Sequence, residues 1–173
     1  MKKGLYPNFG FSGLTSCGKS SHASFFAKKF SMSIISASAA LIEQGKRNKL
    51  HDVHIGNTHN HPWIRSFDEF NKNRMVDLSI DTSIDEYVYS MISQGYGMIA
   101  ESLTLPFLLT KRKQKSKTML FYLHASHEKR VARAFRSSST LSMEELNIGV
   151  LKKDMVSQKI IQNIWGTDIL NIE

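Results

Sequence analysis

The stretch GLTSCGKS, residues 13–20, decides the fold, because it matches G-x-x-x-x-G-K-[ST] at every fixed position. The glycines of this pattern let the backbone curl so that successive N–H groups face one anion. Lys19 can neutralise the β- and γ-phosphates of a nucleotide, and the hydroxyl of Ser20 can ligate Mg²⁺. We therefore predict a phosphate-binding loop, the alternative being a glycine turn with a surface lysine. The predicted loop residues are Gly13, Leu14, Thr15, Ser16, Cys17, Gly18, Lys19, Ser20 and Ser21.

The segments around the loop alternate between strand-like and helix-like patterns. Short apolar runs predict buried strands at the end of residues 5–12 and in residues 32–38, 97–102 and 118–126. Between these runs, apolar residues recur at helical spacing, for example in SSHASFFAKKF directly after the loop. The alternation predicts an α/β fold of the P-loop NTPase type, in which helices form a three-layer α/β/α sandwich around a parallel sheet of four or five strands.

Length and composition set the remaining bounds. The chain has 173 residues, which predicts a single domain over residues 1–173. Its net charge of +8 favours anionic partners such as nucleotides, and the single cysteine excludes an internal disulfide. The sequence has no apolar run of membrane-spanning length and no secretory signal pattern. We expect a cytoplasmic protein, a monomer or weak dimer, without membrane or specific nucleic-acid partners.

Several short motifs follow the loop in a characteristic order. They are ISAS, FDEFN, DLSIDTSID, MIAES and LFYLHASHEKRVAR, and they extend over nearly the whole chain. With the loop, they resemble the cytidylate kinase-like nucleoside monophosphate kinases of the small-lid branch. The resemblance implies a five-stranded parallel sheet, a loop that binds ATP with Mg²⁺, and transfer of the γ-phosphoryl group to CMP or dCMP.

The resemblance also implies different roles for different segments of the chain. It places a helical acceptor-binding lobe near residues 42–95, which contains Asp81, and a short lid near residues 127–145. Ser36 matches the family's serine after the second strand, on the acceptor side. The predicted catalytic residues are Lys19, Arg130, Arg133 and Arg136.

The three arginines and one glutamate can also be placed by their positions. Arg130, Arg133 and Arg136 are spaced so that one helix face presents three guanidinium groups, which can bond phosphate oxygens bidentately. The alternative is a solvated basic face. Glu101 ends a buried strand, and ligands bind at the carboxyl ends of parallel strands. We expect Glu101 to orient the acceptor or Mg²⁺-bound water.

The acceptor side departs from the family pattern. Glu101-Ser102-Leu103 lacks the arginine that usually follows this strand, and the helix after Ser36 lacks the family's acidic residue and arginine. Two other functions therefore remain open. One is a degenerate relative that binds ATP without turnover, and the other is a kinase acting on a small metabolite.

Other patterns have simpler explanations. Asp77, Asp81 and Asp85 recur every four residues and would form an acidic stripe on a helix, or an ordinary exposed face. Cys17 could be a reactive thiol, because helix N-termini and lysines lower thiol pKa values, or a small space-filling residue. Residues 51–61 contain four histidines, which could hold a metal or form a polar loop. Residues 111–117 carry five cations, which could bind nucleic acid or an acidic surface, or form a solvated loop between a helix and a strand.

Overall fold

The computed structural model describes residues 6–47, 68–112, 118–138 and 141–170. In these residues the strands are β1 (Asn8–Ser12), β2 (Ser33–Ser36), β3 (Met98–Glu101) and β4 (Thr118–Tyr122). The helices are α1 (Lys19–Phe30), α2 (Ala37–Arg47), α3 (Asp68–Val76), α4 (Ser79–Gln94), α5 (Leu105–Lys111), α6 (His127–Ser137) and α7 (Met143–Trp165). The predicted strands are confirmed. The apolar run before residue 111 forms α5, which has Pro106 in its first turn, where a missing N–H costs nothing.

The strands form one parallel sheet of order β2-β3-β1-β4. After β1 the chain crosses to β2 at one edge of the sheet, and after β3 it crosses in the opposite direction to β4 at the other edge. The crevice between the carboxyl ends of β1 and β3 is therefore the topological switch point, where open α/β sheets bind their ligands. The loop 13–20 begins at this crevice.

Helices cover both faces of the sheet. Phe9 and Phe11 point to one face and pack with Ala23 and the neighbouring aromatic residues of α1. Gly10 lies between them and points to the other face, where a Cβ atom would meet Leu105 of α5 at 2.6 Å. The predicted three-layer α/β/α arrangement is therefore confirmed, with α1 on one side of the sheet and α5 on the other.

Asn8 fixes the end of α4 against the sheet. Its amide nitrogen donates to the carbonyl oxygens of Ile92 and Gly95 at 3.0 and 2.9 Å, and its amide oxygen accepts from the N–H of Met98 at 3.0 Å. The Asn8 side chain can be buried at little cost, because its amide nitrogen and its amide oxygen are both hydrogen-bonded. One side chain thus sets where α4 ends and β3 begins.

The contacts within the chain divide it into two units. The first unit contains the sheet and comprises Met1–Leu14, Gly18–Leu41 and Asp81–His124. The second comprises Thr15–Cys17, Ile42–Ile80 and Ala125–Glu173. The expected single domain, acceptor-binding lobe and lid stay predictions.

The core of the second unit lies between α6 and α7. Val131 and Ala134 of α6 pack with Leu141, Leu146 and Val150. A capping box starts α7: the Ser142 hydroxyl accepts from the N–H of Glu145, whose carboxylate accepts from the N–H of Ser142.

Some sequence-based expectations receive no structural test. No helix in the described ranges is long and apolar enough to cross a membrane. The cytoplasmic location and the oligomeric state stay predictions. The histidine segment 51–61 and the basic residues 113–117 lie outside the described residues.

Candidate phosphate-binding site

The loop 13–20 joins the carboxyl end of β1 to the first residue of α1, as the sequence predicts. Gly13 and Gly18 have φ values of 134° and 105°, which glycine adopts without steric cost. Ser16 also has positive φ, at 59°. Gly18 is the N-cap of α1 and provides no side-chain cap. The first N–H groups of this twelve-residue helix can therefore serve an anion.

Lys19 curls back over the start of the loop. Its ammonium group donates to the carbonyl oxygens of Gly13 at 2.6 Å and Leu14 at 2.9 Å. These contacts hold the positive charge beside the backbone that would surround a phosphate. Ser20, the next residue of α1, is exposed, so its hydroxyl can reach a cation from the solvent side. The two residues fit the phosphate-binding and Mg²⁺-binding roles that the motif predicts.

The middle of the loop, Thr15–Cys17, belongs to the second unit and is held there by side chains of α6 and α7. The N–H of Thr15 donates to Asp154 at 3.1 Å, and the carbonyl oxygen of Thr15 accepts from Arg130 at 3.1 Å. Arg130 and Asp154 also form a buried ion pair at 2.5 Å. One ion pair thus binds both the backbone N–H and the backbone carbonyl oxygen of Thr15.

The three predicted catalytic arginines have different surroundings. Arg130 is buried in the pair with Asp154, whereas Arg133 and Arg136 are exposed on α6. Arg133 donates to the carbonyl oxygen of Cys17 at 2.8 Å. The three do not form a uniform solvated face, because one charge is neutralised inside the protein. The contact with Thr15 indicates that Arg130 positions the loop, and the catalytic roles stay predictions.

Ser36 and Glu101 are neighbours across the sheet. They are register partners at the carboxyl ends of β2 and β3, and Glu101 also pairs with Phe11 of β1. The carboxylate of Glu101 is buried, and its Oε2 atom has no hydrogen-bond partner among the described residues. Ser36 is half-buried and its hydroxyl accepts from the N–H of Ala39 at 3.2 Å. The register therefore brings two of the predicted acceptor-side residues to the sheet edge from which the loop leaves β1.

The predicted acidic stripe at residues 77, 81 and 85 is wrong. Asp77 precedes α4 and accepts from the N–H of Ser79 at 3.0 Å, and Asp81 is half-buried in the first turn of α4. Asp85 is buried and accepts from the hydroxyl of Thr104, which also lies 2.8 Å from the hydroxyl of Ser102. The four-residue period gave no sign that Asp77 lies before the helix or that Thr104 is the partner of the buried Asp85.

Cys17 is buried within the loop segment, and its carbonyl oxygen is the group that Arg133 binds. Burial restricts access of oxidants and electrophiles to the thiol. The structure therefore favours the space-filling explanation for Cys17.

Neither known protein families nor curated proteins give a match. Solved structures similar in fold include a gluconokinase from Sinorhizobium meliloti 1021, with 14% identity and a TM-score of 0.47 over 85% of this chain and 74% of that one. Shikimate kinase from Acinetobacter baumannii has 14% identity and a TM-score of 0.47 over 92% and 80% of the two chains. TT1252 from Thermus thermophilus has 15% identity and a TM-score of 0.48 over 95% and 86%.

Proposed function

We propose that this chain is an ATP-dependent phosphotransferase. The loop 13–20 carries the proposal, because it has the complete motif, stands between a β-strand and a helix, and begins at the switch point of a parallel sheet. Phosphoryl transfer depends on positioning and charge neutralisation more than on covalent chemistry by the protein. Lys19 and the N–H groups at the start of α1 would bind the phosphates of ATP, and Ser20 would ligate Mg²⁺.

For the acceptor, our first candidate is a nucleoside monophosphate, CMP or dCMP. The resemblance of the ordered motifs to cytidylate kinase-like proteins supports this choice. Arg133 and Arg136 are exposed and would then provide positive charge for the phosphoryl groups. Arg130 would hold the loop through its bond to Thr15. Ser36, Asp81 and Glu101 would bind the acceptor.

Direct binding of Mg·ATP, measured by titration calorimetry, tests the donor site without requiring turnover. We expect Lys19→Ala to weaken binding at least about tenfold, because it removes a charged hydrogen-bond donor worth about 1.5–3 kcal/mol. Lys28→Ala is the matched control, since Lys28 is an exposed lysine of the same helix. Equal affinity of the wild type and the Lys19 variant would refute the donor site.

A coupled assay of ADP formation with a panel of acceptors tests the reaction. The panel contains the nucleoside monophosphates and a set of hydroxylated metabolites. Turnover with CMP or dCMP above the other members would support the first candidate. Binding of Mg·ATP with no turnover on the whole panel would support a nucleotide-binding protein without kinase activity.

A kinase acting on the hydroxyl group of a small metabolite is the second candidate, and Glu101 favours it. A hydroxyl acceptor loses a proton on phosphorylation, and a buried carboxylate with an unpartnered oxygen is suited to receive it. A phosphate acceptor is already anionic and would be repelled by the same carboxylate. The missing arginine at Leu103 points in the same direction, since a neutral acceptor does not need that cation.

Glu101→Gln separates the two acceptors. For a hydroxyl acceptor we expect kcat/KM to fall by about 10²–10⁴, with Mg·ATP binding unchanged, because only the proton acceptor is lost. For a nucleoside monophosphate acceptor we expect a smaller change. Glu144→Gln, an exposed carboxylate on α7, is the isosteric control.

A further inference from the structure

Helix α7 carries an apolar stripe on the side opposite its buried face. The buried residues are Leu146, Gly149, Val150, Asp154, Ile160 and Ile161. On the opposite side Ile148, Leu151 and Met155 are 58%, 46% and 65% exposed. Their spacings of three and four residues place them in one row. A surface helix normally has polar residues on that side. Within the described part of the chain, packing does not account for this row.

The row is flanked by charges of opposite sign. Glu144 lies one turn before Ile148, Lys159 lies one turn after Met155, and both charged residues are exposed. The order along the row is therefore acidic, apolar, apolar, apolar, basic, with Leu151 near the centre and the exposed Lys152 at the edge of the row beside it. Such a row is complementary to itself when two copies run antiparallel.

We propose that this row, the α7 stripe (Glu144, Ile148, Leu151, Met155 and Lys159), is a self-association surface that joins two copies of the chain. A two-fold axis between positions 151 and 152 sets Glu144 of one copy opposite Lys159 of the other and sets Ile148 opposite Met155. Leu151 then packs near its own symmetry mate. An isologous contact of this kind is the commonest symmetry of soluble dimers.

The order of charges along the α7 stripe favours an antiparallel second copy of the chain as its partner. A parallel pair would set Glu144 against Glu144 and Lys159 against Lys159, which is unfavourable at both ends. The row between these charges is about 22 Å long, from a rise of about 1.5 Å per residue. One helix of this length covers less than the ~800 Å² per partner of a standard interface. The dimer is therefore weak, and its population depends on protein concentration.

Sedimentation equilibrium between about 1 µM and about 1 mM measures the association. We expect the wild-type protein to change from monomer to dimer within this range. Leu151→Glu should raise the dissociation constant at least about tenfold, because it buries two carboxylates beside the axis. Far-UV circular dichroism checks that the variant is folded. A monomer at every concentration, or a dimer unaffected by this substitution, would overturn the proposal.

Charge reversal tests the antiparallel register. Glu144→Lys and Lys159→Glu should each weaken the dimer about fivefold or more, since each creates two like-charge pairs across the axis. The double variant should restore the wild-type dissociation constant, because the pairs re-form with their signs exchanged. Lys28→Glu on α1 is the control for net charge and should have no effect. Failure of the double variant to recover would refute this register.

Discussion

The buried pair between Arg130 and Asp154 gives the sharpest prediction about stability. Arg130 is 5% exposed and Asp154 is 3% exposed, so neither charge has effective access to water. Asp154 accepts hydrogen bonds from Arg130 and from the N–H of Thr15. Asp154→Ala would leave a buried guanidinium without its counter-ion and a buried N–H without its acceptor.

The size of the effect follows from these two losses. Removal of one partner of a buried ion pair costs about 3–5 kcal/mol, because the remaining charge is uncompensated. In a chain of this length each kcal/mol lowers Tm by about 2–4 °C, so Asp154→Ala should lower Tm by about 6–20 °C. Asp154→Asn keeps an acceptor for Thr15 and should cost about 1 kcal/mol less.

Urea unfolding followed by circular dichroism, with thermal melts, measures these differences. Gln162→Ala, at an exposed position of the same helix, is the control and should change stability by less than about 0.5 kcal/mol. A second comparison removes both charges: Arg130→Met with Asp154→Leu should recover part of the stability lost in Asp154→Ala, because no buried charge remains, while the N–H and carbonyl oxygen of Thr15 both lose their partners. A cost below about 1 kcal/mol for Asp154→Ala would refute the reasoning, as would a double variant no more stable than the single one.

Three further predictions concern local stability. Hydrogen bonds from the hydroxyl and N–H of Ser79 lower the pKa of Asp77 in the folded protein. The ionised carboxylate therefore stabilises the folded state at pH values above its unfolded pKa. This stabilisation is lost as the pH falls through the folded pKa. Urea unfolding between about pH 7 and pH 3 should therefore show a weaker pH dependence for Asp77→Asn. Gly10→Ala should cost about 1–2 kcal/mol in urea unfolding, since its Cβ would lie 2.6 Å from a terminal methyl of Leu105, and a more stable variant would contradict the close packing. Ser142→Ala should cost about 1 kcal/mol through loss of the cap on α7, and faster amide exchange in its first turn would locate the effect.

The features predicted well from the sequence are those encoded by neighbouring residues. The loop motif and the alternation of strands with helices each depend on a few consecutive positions. The register partners Ser36 and Glu101 are 65 residues apart, yet a parallel sheet brings the carboxyl ends of its strands to one edge. The parallel topology is therefore sufficient to predict that Ser36 and Glu101 lie at the same edge of the sheet.

The features that the sequence did not reveal depend on side-chain partners from distant elements. The role of Asp154 has no local signature, because its bond to Thr15 crosses 139 positions of the chain. Asp85 looked like part of an exposed row because periodicity reports which positions share a side and nothing about burial. No local pattern distinguishes an aspartate that will bind Thr104 from one that will face water.

The central position of β1 has a consequence for synthesis of the protein. β1 is made long before its partners β3 and β4, which follow about 90 and 110 residues later in the chain. At about 5–20 residues per second, the ribosome needs roughly 5–20 s to supply them. During that time Phe9 and Phe11 can pack against α1 but cannot complete a sheet. The nascent chain therefore presents an aromatic strand with two unpaired edges, and we expect it to be a preferred binding segment for chaperones during translation.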